Sequence, residues 1–147
     1  MPQLIYFEER DNHYQALYTY DITAIGIDEC YARQLCTYTI IQGEQYELIA
    51  NELVNDDEYL IVKHIAPNEA GECEQINEHN KGIQLEIRNH DVATNYALLQ
   101  RITCSTHYEI IRYLLKDNLA IQATTYHVRS SEIDEDRGVY VLYVMPL

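Results

Sequence analysis

The densest run of residues able to do chemistry is Cys104-Ser105-Thr106-His107-Tyr108-Glu109. A thiol, an imidazole and a carboxyl this close are the parts of an activated nucleophile or of half a metal site. His107-x-Glu109 at a helix start matches the first half of a zinc deaminase signature, but the Pro-Cys-x-x-Cys half occurs nowhere in the chain. Thr106 and Glu109 read instead as a capping box, with Thr106 at the N-cap and Glu109 at the third helical position. The box explains Glu109 without a metal. Cys73 and His79 make a second half-site by residue type, about thirty residues upstream. A tetrahedral site wants four ligands in tight local pairs. No metal and no cofactor is therefore expected, and His107, Cys104 and Glu109 stand only as candidate catalytic groups.

Other chemistries lack their residues. The glycines at 26, 43, 71, 82 and 138 write no phosphate-cradling loop. None of Ser105, Ser130 and Ser131 lies in a Gly-x-Ser-x-Gly elbow. Lys63, Lys81 and Lys116 have no context that suggests Schiff-base work. Cys30, Cys36, Cys73 and Cys104 contain no Cys-x-x-Cys pair and read as ordinary buried thiols. His64 shares a strand face with Leu60 and Val62, which predicts a buried, satisfied imidazole.

Charge is the strongest signal. Ten Lys and Arg stand against 24 Asp and Glu, a net charge of −14. Nucleic-acid binding needs clustered cations, so it is excluded. The acids gather at Asp56-Asp57-Glu58, at Glu69 through Glu78, and at Glu132, Asp134, Glu135 and Asp136, all in expected turns or loops. Such clusters keep a small domain soluble or steer it to a basic partner. The chain also has 14 Tyr, one Phe and no Trp. Tyr14, Ala16, Tyr18 and Tyr20 alternate along one strand and predict one aromatic face, suited to a core or to an interface anchor.

The elements that must position these groups follow from periodicity. Leu4–Glu9 and His13–Tyr20 predict a hairpin. Cys30–Ile41, Tyr59–Ala66, Ile83–Arg88, Leu119–Arg129 and Val139–Met145 predict strands. Residues 45–54 fit strand or helix. Residues 67–81 form a long acidic loop, and Ser130–Gly138 a second acidic connection. Between them the period changes. Val92, Tyr96, Leu99 and Ile102 suit one helix, and Ile110, Ile111, Leu114 and Leu115 a second, ended near Asn118. The expected fold is α+β. A mainly antiparallel sheet of about six to eight strands carries two consecutive helices near residues 91–117 on one face, in the order strands-helix-helix-strands. No internal repeat is seen, and 147 residues make one globular domain.

No window reaches the ~18 apolar residues of a membrane span, and the first residues lack a signal peptide's basic start, so the cytoplasm is the expected compartment. The expected function is a non-enzymatic cytoplasmic interaction module of the immunity-protein, anti-regulator or adaptor type. It would bind a protein with a basic surface through Asp56, Asp57, Glu58, Glu132, Asp134, Glu135, Asp136, Tyr14, Tyr18 and Tyr20. One alternative is a small enzyme or ligand-binding protein with a pocket between sheet and helices, around His107, Cys104, Tyr96 and Glu109. Another is a structural subunit of an oligomeric, phage or mobile-element assembly, which leaves a homo-oligomer open.

Overall fold

The computed structural model describes residues 1–77 and 82–147. Strands dominate: β1 (Gln3–Arg10), β2 (His13–Asp21), β3 (Tyr38–Ile41), β4 (Glu44–Val54), β5 (Asp57–Pro67), β6 (Ile83–Asn89), β7 (Leu98–Cys104), β8 (Asn118–Ile121), β9 (Thr124–Asp134) and β10 (Val139–Pro146). Among the described residues three α-helices accompany them, α1 (Ile22–Ile25), α2 (Ile27–Gln34) and α3 (His107–Leu114). One ten-stranded sheet runs β2-β1-β5-β4-β3-β9-β10-β6-β7, with β8 also on β9. Three pairs are parallel, β1 with β5, β6 with β10 and β3 with β9; the others are antiparallel. The expected antiparallel sheet of six to eight strands, with its helix-helix order, is thus replaced by a mixed sheet of ten. Among the described residues no helix is long and apolar enough to cross a membrane.

The expectation of no internal repeat also fails. The order strand-strand-helix-strand-strand-strand occurs twice, paired β2-β1-β5-β4-β3 and then β7-β6-β10-β9-β8. Gln42 and Gln122, eighty residues apart, both turn their hairpins at positive φ, 52° and 55°. The bulges recur as well. Leu17 and Leu99 are each skipped in the first hairpin of their half, and Ile49 and Arg129 in the last. The two halves share a backbone plan while most of their side chains differ, so composition and motif carry little trace of it.

Three segments depart from the predicted type, one of them the connection expected over Ser130–Gly138, which is the end of β9 as far as Asp134. The helix expected from residue 91 is a single turn, Val92–Thr94. Asp91 caps it, Asn95 and Tyr96 take positive φ, and strand β7 follows. The bulge at Leu99 lets Leu99 and Ile102 both reach the core, which turns a period of two into a spacing of three. The strand expected over Cys30–Ile41 is α2 followed by β3. Asp28 and Glu29 in its first turn and Arg33 in its last suit the helix dipole. Residues 45–54 belong to a strand, and Leu119–Arg129 is a hairpin rather than one strand.

The bulge at Leu17 also splits the tyrosines. Tyr18 lies opposite Tyr6, and Ala16 opposite Phe7. Cross-strand partners share a face, so Tyr14 leaves the face of Tyr18 and Tyr20 and meets Phe7 at 6.1 Å.

Both longer helices cover one face of the sheet. Ile110 of α3 and Ala32 of α2 pack on Leu85, Ile87, Ile133, Tyr140 and Leu142. A second cluster holds Leu4, Tyr6, Leu60 and Val62 against Ile22 and Cys30. Alternation turns Glu86, Arg88, Glu132 and Asp134 to the opposite face. There residues 68–77, which follow β5, lie across the second half. Arg88 donates to the carbonyls of Glu72 and Tyr96, Arg101 to that of Cys73, and Arg137 to that of Gln75. Among the described residues, three arginines hold this part of the acidic loop through its carbonyls.

Candidate binding cavity

The structure does not assemble the catalytic candidates into one site. Thr106 caps α3, accepting from the Glu109 N–H at 3.3 Å. The Glu109 carboxylate accepts from the Ser105 hydroxyl at 2.7 Å. Cys104 is buried beside it, and burial and the Glu109 charge push its thiol up, away from a reactive thiolate. His107 instead faces Glu29 of α2 at 3.6 Å and the Tyr140 ring. Burial holds its imidazole below the ordinary value, against the pull of Glu29. His64 is exposed and pairs with Glu44, not buried as its strand face suggested. Cys73 is exposed, and His79 lies outside the described residues. Among the described residues no group of three His, Cys, Asp or Glu is placed to hold a metal.

The candidate partner-binding residues scatter. Asp56 is exposed at a turn. Asp57 accepts from the Gln3 N–H, and Glu58 from the Gln34 side chain. Asp134 is buried on Arg137 at 2.9 Å. Glu135 accepts from Arg33, Tyr6 and Tyr20. Asp136 is exposed, but it accepts from the N–H groups of Gln42 and Gly43, both at 2.7 Å. Tyr14 and Tyr18 are half-exposed on opposite faces, and Tyr20 is tied to Glu135. Much of this acidic set is occupied inside the molecule.

Glu132 differs from the others: it is buried, yet it pairs with no cation among the described residues. It sits on β9 opposite Tyr38 of β3, where the two halves join, on the face away from the helices. A cavity of about 500 Å³ opens above it. Tyr38, Ser130 and Tyr143 complete the floor; residues 65–69, Gly71 and Glu74 form a wall; His90 and Tyr96 stand on the other side, and Arg129 also lines the cavity. The rings of Tyr96 and Tyr143 are 5.6 Å apart, and His90 meets them at 6.2 and 6.1 Å. Tyr143 donates to Glu132 Oε2 at 3.3 Å. Glu132 joins no ion pair among the described residues, because Arg137 is spent on Glu86 and Asp134. Burial, reinforced by the Asp134 charge, pushes the Glu132 carboxyl up to about 8. Burial and Glu132 likewise raise the Tyr143 phenol.

The pocket expected between sheet and helices, around His107, is therefore not where this cavity lies. Of its four candidates only Tyr96 lines it. Sequence reading named Glu132 and Tyr96 but missed Tyr38, His90 and Tyr143. The alternation of Ser130, Glu132 and Asp134 about Ile133 was the available signal. No family model matches the chain, and no curated protein or solved structure does either.

Proposed function

We propose that this chain is a binding module that holds a protein with a basic surface, with the cavity at the seam as its anchor point. The observation behind this reading is Glu132: a carboxyl set into a cavity floor, facing tyrosines and further acids, with no cation paired to it among the described residues and Arg129 exposed on the cavity lining. A positive group arriving from outside supplies the missing partner, and such desolvated charge pairs at an interface centre are its strong contacts. The net charge of −14 favours encounter with a basic surface at long range. The test is affinity capture at low salt followed by titration of the purified pair at about 50 and 300 mM salt, on either side of physiological screening. Affinity falling severalfold at the higher salt supports the reading. Affinity indifferent to ionic strength overturns it.

A second reading, a small enzyme or ligand-binding protein, draws on the same carboxyl. A carboxylic acid kept protonated near neutral pH beside a cavity is the state of a general acid. A small molecule retained in native mass spectrometry favours this reading.

A further inference from the structure

The fold already shows how it holds a guanidinium group, and this inference uses that fact to narrow the reading above. On the helix side of the sheet, Glu135 accepts from the hydroxyls of Tyr20 at 2.7 Å and Tyr6 at 3.3 Å. Arg33 completes the cage, with Nε 2.8 Å from Oε2 and Nη2 3.2 Å from Oε1. Its guanidinium lies over the Tyr20 ring, 4.4 Å from the centroid. On the other side, Glu132 repeats the arrangement with no cation among the described residues in that place. It is 4% exposed, it accepts from a tyrosine hydroxyl, and aromatic faces stand beside it. Its Oε1 has no hydrogen-bond partner among the described residues. Internal arginines do not fill the place: Arg88 and Arg137 are bonded to Glu86 and to the loop carbonyls, and Arg129 stands exposed on the cavity lining.

We propose that the seam cavity takes the guanidinium group of an arginine side chain of the partner, its fork on the Glu132 carboxylate and its face against the Tyr143 and Tyr96 rings. Arginine is favoured over lysine because its planar, weakly hydrated cation stacks on rings and pairs with both carboxylate oxygens. The cavity's size lies within the usual range for ligand sites, ~300–1,000 Å³.

Binding has a proton count. Glu132 enters the complex as carboxylate and gives its proton to solvent, while the arginine keeps its own. The groups that set this balance are Asp134 on the same strand, Tyr143 of β10, Tyr38 of β3, Glu74 and Glu69 from the covering segment, Arg137 from the β9–β10 turn, and Arg129 and His90 in the cavity lining. Burial holds the free carboxyl up near 8, so affinity rises with pH below that value and levels off above it.

The experiment titrates N-acetyl-arginine methylamide into the ¹⁵N-labelled full chain at pH 6, 7 and 9, with the lysine analogue as comparison. The expected amide shifts centre on Ser130 to Glu132, Tyr143 and Tyr96. Affinity increases by up to about tenfold per pH unit below 8, and the lysine analogue binds severalfold more weakly. Glu132→Gln loses about tenfold in affinity at pH 9, as for a lost charge-assisted contact, and loses the pH dependence. Tyr143→Phe, which keeps the ring, weakens binding severalfold and serves as the readout if the glutamine variant does not fold. Absence of shifts at the cavity, equal binding of the lysine analogue, or a flat pH profile in the wild type overturns the proposal. A partner that binds with charge-led affinity while the arginine analogue ignores the cavity removes this inference and leaves the interaction reading standing. Arginine binding without a salt-sensitive protein partner does the reverse.

Discussion

Arg137 organises the interior charge on the face away from the helices. Its Nη1 and Nη2 each lie 2.9 Å from Glu86, its Nε lies 2.9 Å from Asp134, and Nη1 also donates to the Gln75 carbonyl. These contacts hold Glu86 in its ionised form despite burial, and its carboxyl lies below the usual value. Arg137→Met leaves two buried carboxylates short of a partner, and the expected loss is about 3–5 kcal/mol, measured by urea unfolding. Glu132 behaves in the opposite sense. Its folded value near 8 exceeds the unfolded one, so the stability it contributes is complete in acid and is lost as pH rises toward 8. Unfolding titrations from pH 5 to 8 should show Glu132→Gln gaining on the wild type by at most about 1.4 kcal/mol per pH unit; a constant difference would contradict the assigned direction. Sequence reading placed Glu132 and Asp134 on the surface because they fall in an acidic run. Alternation about Ile133 puts them on one side of a strand, but nothing local says which arginines lie there.

Elements with uninterrupted periodicity were legible. The β1–β2 hairpin, β5, β6, β10 and α3 with its Thr106 cap fall close to where patterning predicts. Thr106→Ala should cost about 1 kcal/mol by thermal or urea unfolding, with amide protection lost first in the opening turn of α3. Where a bulge intervenes, the pattern misleads: Leu17 hid the division of the tyrosines, and Leu99 made β7 resemble a helix. The covering segment was illegible for another reason. Residues 68–77 have few apolar side chains, and their position depends on arginines that are distant in sequence. Arg101 is partly exposed, so Arg101→Ala should raise hydrogen exchange across residues 71–75 while changing global unfolding by only about 1 kcal/mol. Unchanged exchange there would mean that Arg88 and Arg137 alone hold the segment.

At the scale of the molecule, the two halves are tied by more than the β3–β9 pairing. Arg33 of the first half pairs with Glu135 of the second, Asp136 holds the β3–β4 turn, and Ser131 bonds both Thr37 and Leu35. Breaking the seam would strand these groups, so unfolding should be a single transition. Far-ultraviolet circular dichroism and tyrosine fluorescence are expected to give coincident curves, and two separated midpoints would show halves that fold independently. The repeat was hard to read in the residues because few equivalent positions keep their type, Gln42 with Gln122 and Leu17 with Leu99 among them, while turn geometry, bulge position and pairing order recur throughout. The segment that joins the halves also carries Cys73, the one exposed thiol among four cysteines. A maleimide dye would therefore attach there in preference to the three buried thiols, one residue from Glu74 in the cavity wall. The native chain thus brings its own attachment point for an optical reporter, and occupancy of the site could be followed by emission without engineering a single residue.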